Sequence, residues 1–153
     1  SAAFYLKGNK KIDGMSFAIQ GVGKVGRGVL SLIYKKASKI YISDTNLKTL
    51  GKVKKEFPDV IVVDPKDIYK QQVDIFCPCA LSGTLNSKSI NQLKAKAIIG
   101  SANNQLESIA IGQTLHILGI LYCPDYVVNA GGLIAVADEY DNKIPSQSRL
   151  SKK

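Results

Sequence analysis

The hydrophobic pattern alternates between two periods. Phe17-Ala18-Ile19 is an apolar run that breaks into glycines at 21, 23 and 26 and then resumes with helical spacing, which predicts a strand, a tight turn and a helix from near Lys24 to about Lys36. Lys39–Ser43 predicts a second strand. Leu47, Leu50, Val53 and Phe57 mark one face of a helix that Pro58-Asp59 stops. Further strands are predicted at Val60–Val63, Val73–Cys77, Ala97–Gly100 and Ile120–Cys123. Between them fall a brief turn at Asp67–Tyr69, a short helix marked by Ile90 and Leu93 that Asn86 or Ser87 could cap, and a helical region at Ile109–Leu118. Six strands alternating with helical segments require right-handed crossovers, hence an α/β fold with a doubly wound parallel sheet. Residues 1–14, with Ala2-Ala3-Phe4-Tyr5-Leu6 and a turn at Asp13-Gly14, read as the remnant of a preceding helix and a linker, and 15–153 as one domain.

The glycines give that sheet a chemistry. Gly21 permits a tight turn off the strand, Gly23 lets a pyrophosphate approach the backbone, and Gly26 lets the helix pack close to the sheet, while the helix start offers unpaired N–H groups and the positive end of its dipole. A glycine-rich turn is also ordinary loop punctuation, so the informative residue is Asp44, 23 positions after Gly21 at the end of the second strand. A carboxylate there accepts hydrogen bonds from both hydroxyls of an adenosine ribose and repels a 2′-phosphate, which favours NAD over NADP; its alternative task is capping the helix that starts at Thr45 or Asn46. With a fingerprint on the first strand the expected order is 3-2-1-4-5-6, the Rossmann NAD-binding arrangement. Lys24 and Arg27 beside the turn work against a strict NAD preference.

Composition narrows the function. The chain has 153 residues and a formal net charge of +9, but Lys35, Lys36, Lys48, Lys52, Lys54, Lys55, Lys94 and Lys96 are scattered as a solvated surface without interleaved aromatics, which argues against nucleic acid. No apolar run spans a membrane and no secretory leader is visible, so a cytoplasmic location is expected. Cys77, Cys79, Cys123 and His116 all fall in or beside apolar runs and read as packing residues, with no metal site.

In a doubly wound sheet the loops after the strands gather at one crevice, bringing together Cys79-Ala80-Leu81, Ser101–Asn104 and Tyr126–Gly132. These loops carry amides, hydroxyls and glycines rather than strong acids or bases. Asn104 and Asn129 could each hold a carboxamide or the polar end of an amino acid, or could equally serve turn geometry and capping. No tyrosine has a lysine four residues later, and no nucleophile has a basic partner nearby in sequence, so no catalytic residue is expected in this chain.

Several segments together resemble one family: Gly21-Val22-Gly23-Lys24-Val25-Gly26, Ser43-Asp44-Thr45-Asn46, Asp74–Gly83, Gly100–Leu106 and Tyr122-Cys123-Pro124-Asp125-Tyr126-Val127-Val128-Asn129-Ala130-Gly131-Gly132. In this order, from about residue 14 to 140, they are similar to the NAD-binding domain of the leucine, phenylalanine and valine dehydrogenases of the glutamate dehydrogenase superfamily, the leucine enzymes most of all. The resemblance implies that Gly21, Val22, Gly23, Lys24, Val25 and Gly26 hold the pyrophosphate. It implies Asp44 at the adenosine ribose, Cys79 and Ala80 along the cofactor, Asn104 near the nicotinamide and substrate, and Thr45, Ser101, Ala102 and Asn103 among the other cofactor-binding residues. Asn104, Asn129, Leu133 and Val136 then match positions facing the substrate, although Leu133 and Val136 would equally suit the core face of a helix.

By the same resemblance the parent enzyme, a homo-oligomer, oxidatively deaminates a branched-chain or other apolar L-amino acid to its 2-oxo acid with hydride transfer to NAD. In that family the catalytic lysines and aspartate stand in a preceding domain whose glycine-rich segment does not occur here, so this chain is expected to be the cofactor half and inactive alone. The alternative is a regulatory module that binds NAD(H) without chemistry of its own.

Overall fold

The computed structural model describes residues 11–80 and 82–129. The helix remnant expected before residue 11, and Leu133 and Val136, lie outside the described residues. The strands are β1 (Ser16–Gln20), β2 (Lys39–Ser43), β3 (Ile61–Val62), β4 (Ile75–Pro78), β5 (Ala97–Ile98) and β6 (Leu121–Tyr122). They form one parallel sheet in the order β3-β2-β1-β4-β5-β6, as the alternating pattern predicts. Helices α1 (Lys24–Ile33), α2 (Leu47–Glu56), α3 (Ser87–Ile90), α4 (Ile109–Ile117) and α5 (Asp125–Val128) and a 3-10 turn (Ile68–Lys70) connect them.

Successive residues of a strand face opposite sides, so the sheet carries two cores. Phe17 and Ile19 of β1 pack with Ile40, Ile42, Ile75 and Cys77 beneath Leu30 and Ile33 of α1 and Leu50, Val53 and Phe57 around α2. Ala18, Phe76 and Ile98 face the other way, onto Ile68, Leu85, Ile90, Ile111 and Leu115. At the start of the strands Asp74 binds β1 to β5: Ser16 N–H and Oγ both donate to its Oδ2 at 2.9 Å, and Lys96 Nζ donates to Oδ1 at 2.8 Å. Burial opposes ionisation of Asp74, but Lys96 and Ser16 outweigh it and hold the carboxyl below its ordinary range.

Four expectations need correction. Helix α1 ends at Ile33, with 34–36 a turn rather than a last helical turn. Leu47 is 79% exposed although it shares the spacing of Leu50 and Val53; as the first residue of a helix that runs back along the sheet, it projects past the last core layer. Strands β3, β5 and β6 are two residues long rather than four. His116 is exposed on α4 rather than packed. Of the cysteines, Cys77 is buried, with its thiol pKa pushed up by that burial, while Cys79 and Cys123 are half-buried, and all three are free thiols.

Candidate functional site

The turn after β1 is shaped by two close approaches. Gly21 has φ +87, and a Cβ there would stand 2.9 Å from Ala80 Cβ; its N–H donates to Ser43 O at 2.8 Å. A Cβ on Gly26 would run into the carbonyl of Gly21 and stand 3.2 Å from Cys79 Cβ, so glycine at 26 is what lets α1 press against the turn and the end of β4. Cys79 N–H donates to Gln20 O at 2.8 Å and fixes those two strand ends together.

Gly23 differs from both. Its φ of −66 suits any residue, and a Cβ there would meet nothing within 4 Å. It caps α1, whose first turn receives no side-chain cap and holds no acidic residue. The start of α1 therefore faces open space with its N–H groups unclaimed by any side chain, the condition under which a helix terminus accepts an anion.

Asp44 stands beside this turn, at the tip of β2. Val22 N–H donates to its Oδ2 at 2.9 Å and Asn46 N–H to its Oδ1 at 2.8 Å. The helix cap is Asn46, whose Oδ1 accepts from Thr49 N–H at 3.1 Å, so capping does not account for Asp44. Each Asp44 oxygen takes one backbone donor and keeps capacity for another. Thr45 beside it is exposed, as are Lys24 and Val25 of the first helical turn. The guanidinium of Arg27 lies 2.5 Å from Glu56 of α2, which draws that cation away from the turn.

Behind the turn Gln20 Nε2 donates to Tyr69 Oη at 2.7 Å, and burial raises the Tyr69 phenol. Gln20 and Ser43 are paired across β1 and β2, and each carries a buried oxygen, Gln20 Oε1 and Ser43 Oγ, without a hydrogen-bond partner among the described residues.

The loop after β5 is the second half of the site. A Cβ on Gly100 would strike Pro78 O, and Ala102 N–H donates to that same oxygen at 2.9 Å. Gln105, read in sequence only as part of a polar loop, is fully buried and braces the loop from within: its Nε2 donates to Gly100 O at 2.8 Å and to Ala102 O at 2.9 Å. Asn104 adopts a left-handed backbone, φ 49, and its N–H donates to Asp125 Oδ2 at 2.6 Å. Asn129 Nδ2 donates to Ser101 O at 3.1 Å and to Asn103 Oδ1 at 2.8 Å. A cleft of about 400 Å³ opens beside Asn104, with Leu106, Ile109, Tyr122 and Tyr126 among its lining residues.

The structure thus gathers Ser101, Asn103, Asn104 and Asn129 into one cluster, and Gly21, Gly26, Cys79 and Ala80 into another. Val22 and Ala102 are buried, and their N–H groups are already engaged, by Asp44 and Pro78 respectively. Sequence reasoning assigned no task to Gln105 or Asp125. Among the described residues no group of three or more His, Cys, Asp or Glu side chains could hold a metal ion, and no helix is long and apolar enough to cross a membrane.

Comparison with known proteins gives a consistent picture. Over 139 residues the chain is 45% identical to the phenylalanine dehydrogenase of Lysinibacillus sphaericus, covering 88% of this chain and 36% of that protein. It is 43% identical to the leucine dehydrogenase of Bacillus subtilis, over 91% of this chain and 38% of that one. The crystal structure of L-tryptophan dehydrogenase from Nostoc punctiforme superposes with a TM-score of 0.90 at 41% identity, covering 99% of this chain and 45% of that one. The chain therefore spans less than half the length of each of these three proteins. The family model described as Glutamate/Leucine/Phenylalanine/Valine dehydrogenase matches residues 2–149, and the chain belongs to that family.

Proposed function

We propose that this chain is the cofactor-binding domain, residues 15–153 behind a linker at 1–14, of an NAD-dependent enzyme that oxidatively deaminates an apolar L-amino acid. The reaction converts the amino acid, water and NAD⁺ to the 2-oxo acid, ammonium, NADH and a proton. NAD supplies the hydride acceptor. The observation that carries the reading is Gly23: neither its backbone angles nor its neighbours require glycine, and the empty space before it lies at the uncapped start of α1. A pyrophosphate fills such a space and receives the N–H groups of the first helical turn.

In this reading Gly21, Gly23, Lys24, Val25 and Gly26 surround the pyrophosphate. Asp44 uses the remaining capacity of its two oxygens for the ribose hydroxyls, with Thr45 beside it. Cys79 and Ala80 line the middle of the dinucleotide, and Val22 and Ala102 contribute shape rather than donors. Ser101, Asn103 and Asn104 lie toward the nicotinamide, where the exposed Asn104 carboxamide makes no hydrogen bond to a described residue and can both donate and accept. Asn129 holds the loop and borders the substrate with Leu133 and Val136.

On this edge Asp44 accepts two backbone N–H groups and Asp125 accepts one, so each carboxylate already has a structural task. Taking the amine's proton therefore falls to residues elsewhere in the enzyme, which we take to be a cytoplasmic homo-oligomer, as the resemblance implies. The matched relatives named for phenylalanine, leucine and tryptophan support an apolar substrate side chain.

Calorimetric titration of the 153-residue chain with NADH and NADPH tests the cofactor assignment. NADH should bind at least tenfold more tightly, a difference of about 1.4 kcal/mol. Equal affinities would overturn the role given to Asp44.

A further inference from the structure

Asn104 is the non-glycine residue with a left-handed backbone among the described residues. Asparagine tolerates this region better than most residues, but the conformation still persists only where neighbours impose it. Two hydrogen bonds impose it here. Asn104 O accepts from Gly83 N–H at 2.8 Å, and Asn104 N–H donates to Asp125 Oδ2 at 2.6 Å, a short charge-assisted bond across 21 residues of sequence. Asp125 is the acidic residue in the first turn of α5, after the N-cap Pro124, and its carboxylate reaches across to this loop. The carboxylate is itself well founded: Asp125 opens α5, and its carbonyl accepts from Asn129 N–H at 2.7 Å while the Asn129 side chain grips Ser101 and Asn103.

We propose that Asp125 is a positioning residue: by accepting the Asn104 N–H it fixes the left-handed backbone that turns the Asn104 carboxamide toward the nicotinamide end of the bound dinucleotide. The proposal rests on the reading that Asn104 meets the nicotinamide, given above. In this role Asp125, which also borders the cleft beside Asn104, acts through the Asn104 backbone and not by a contact of its own with the cofactor. Losing its carboxylate frees Asn104 to relax toward ordinary backbone angles, which swings the carboxamide away while the pyrophosphate turn, some 80 residues earlier in the chain, stays as it is.

The test compares two ligands in calorimetric titrations of the 153-residue chain. NADH carries the nicotinamide, and ADP-ribose lacks it. Asp125→Ala should weaken NADH about tenfold and leave ADP-ribose within about twofold, with Asp125→Asn in between because its amide oxygen still accepts. Asn104→Ala should lose a similar factor for NADH, and Asp125→Ala combined with it should cost little more, since both act through one contact. If Asn104→Ala leaves NADH binding unchanged, the reading of Asn104 is wrong and the proposal falls with it. If Asn104→Ala weakens NADH but Asp125→Ala does not, the reading survives and the positioning role is overturned. Parallel loss of both ligands in Asp125→Ala would mean a merely structural part and would also overturn it. Should Asp125→Ala fail to fold, the Asn104 amide-proton resonance of Asp125→Asn decides: it should move upfield when the charged acceptor is neutralised, and an unmoved resonance refutes the bond.

Discussion

Gly23 and Gly26 stand three residues apart in the same turn, and alanine at each should fail differently. At Gly23 the added methyl meets nothing within 4 Å and the backbone angles are ordinary. Alanine is a poorer helix cap than glycine by about 0.5 kcal/mol, and it gains about as much by restricting the unfolded chain, so the stability of Gly23→Ala should stay within about 0.5 kcal/mol of the parent. The methyl would occupy the space assigned to the pyrophosphate and hold it out of reach of the helix N–H groups. Losing one such charge-assisted hydrogen bond costs about 1.5–3 kcal/mol, a factor of roughly 10 to 150 in NADH affinity. At Gly26 the methyl would stand 3.0 Å from the Gly21 carbonyl carbon and closer still to its oxygen. A backbone cannot rotate aside as a side chain can, so α1 must retreat, with an overpacking cost of about 1–3 kcal/mol and a distorted turn. Urea unfolding and NADH fluorescence titration at fixed salt separate the two cases. A Gly23→Ala chain that binds NADH within twofold of the parent would refute the placement of the phosphate.

Three further outcomes can be measured. Asp44→Ala should remove the preference for NADH over NADPH and also destabilise the chain by about 1–3 kcal/mol, because the Val22 and Asn46 N–H groups lose their acceptor; an unchanged cofactor ratio would sink the ribose assignment. The Asp74 carboxyl is held below its ordinary range in the fold, so its contribution is present above about pH 4, the unfolded value, and is lost as pH falls through the lowered folded value. Urea midpoints of the parent and Asp74→Ala should therefore differ at pH 7 and converge toward pH 3, and a gap independent of pH would contradict the bonding. In the enzyme that carries this chain, kcat/KM for leucine should exceed that for glutamate by about a hundredfold or more, since an apolar pocket leaves a second carboxylate desolvated and unpaired; comparable values would refute the pocket.

The strand order was legible because alternating short apolar runs and helical faces leave a parallel sheet few topologies, and because the glycines mark which strand is central. The grouping of the post-strand loops followed from the same rule. What remained hidden depended on partners distant in sequence. Nothing local distinguishes Gln105, turned inward onto the carbonyls of Gly100 and Ala102, from the exposed Asn103. Asp125 looks like any acid in a first helical turn until its bond to Asn104 is seen. Leu47 kept the helical period yet lay beyond the sheet, because periodicity specifies a face but not how far a core extends along it. Asp44 was found from its spacing; its Asn46 donor is local, whereas its Val22 donor comes from a turn 22 residues earlier that only the fold brings to it.

The shortness of the outer strands bears on how copies of the chain meet one another. At the described edges, β3 pairs only Ile61 and Val62 with β2, and β6 pairs only Leu121 and Tyr122 with β5. A foreign strand laid along either border would find a template two residues long, too short to hold it against the entropy of ordering. Ile61 and Val62 are apolar and partly exposed at that border, the usual composition of a sticky edge, yet they lack the length that sideways growth of a sheet requires. The net charge of +9 adds repulsion between copies. Concentrated solutions should thus tolerate low salt, and clouding on raising salt would arise from exposed side chains such as Ile109 and Ile117 on α4 rather than from sheet extension.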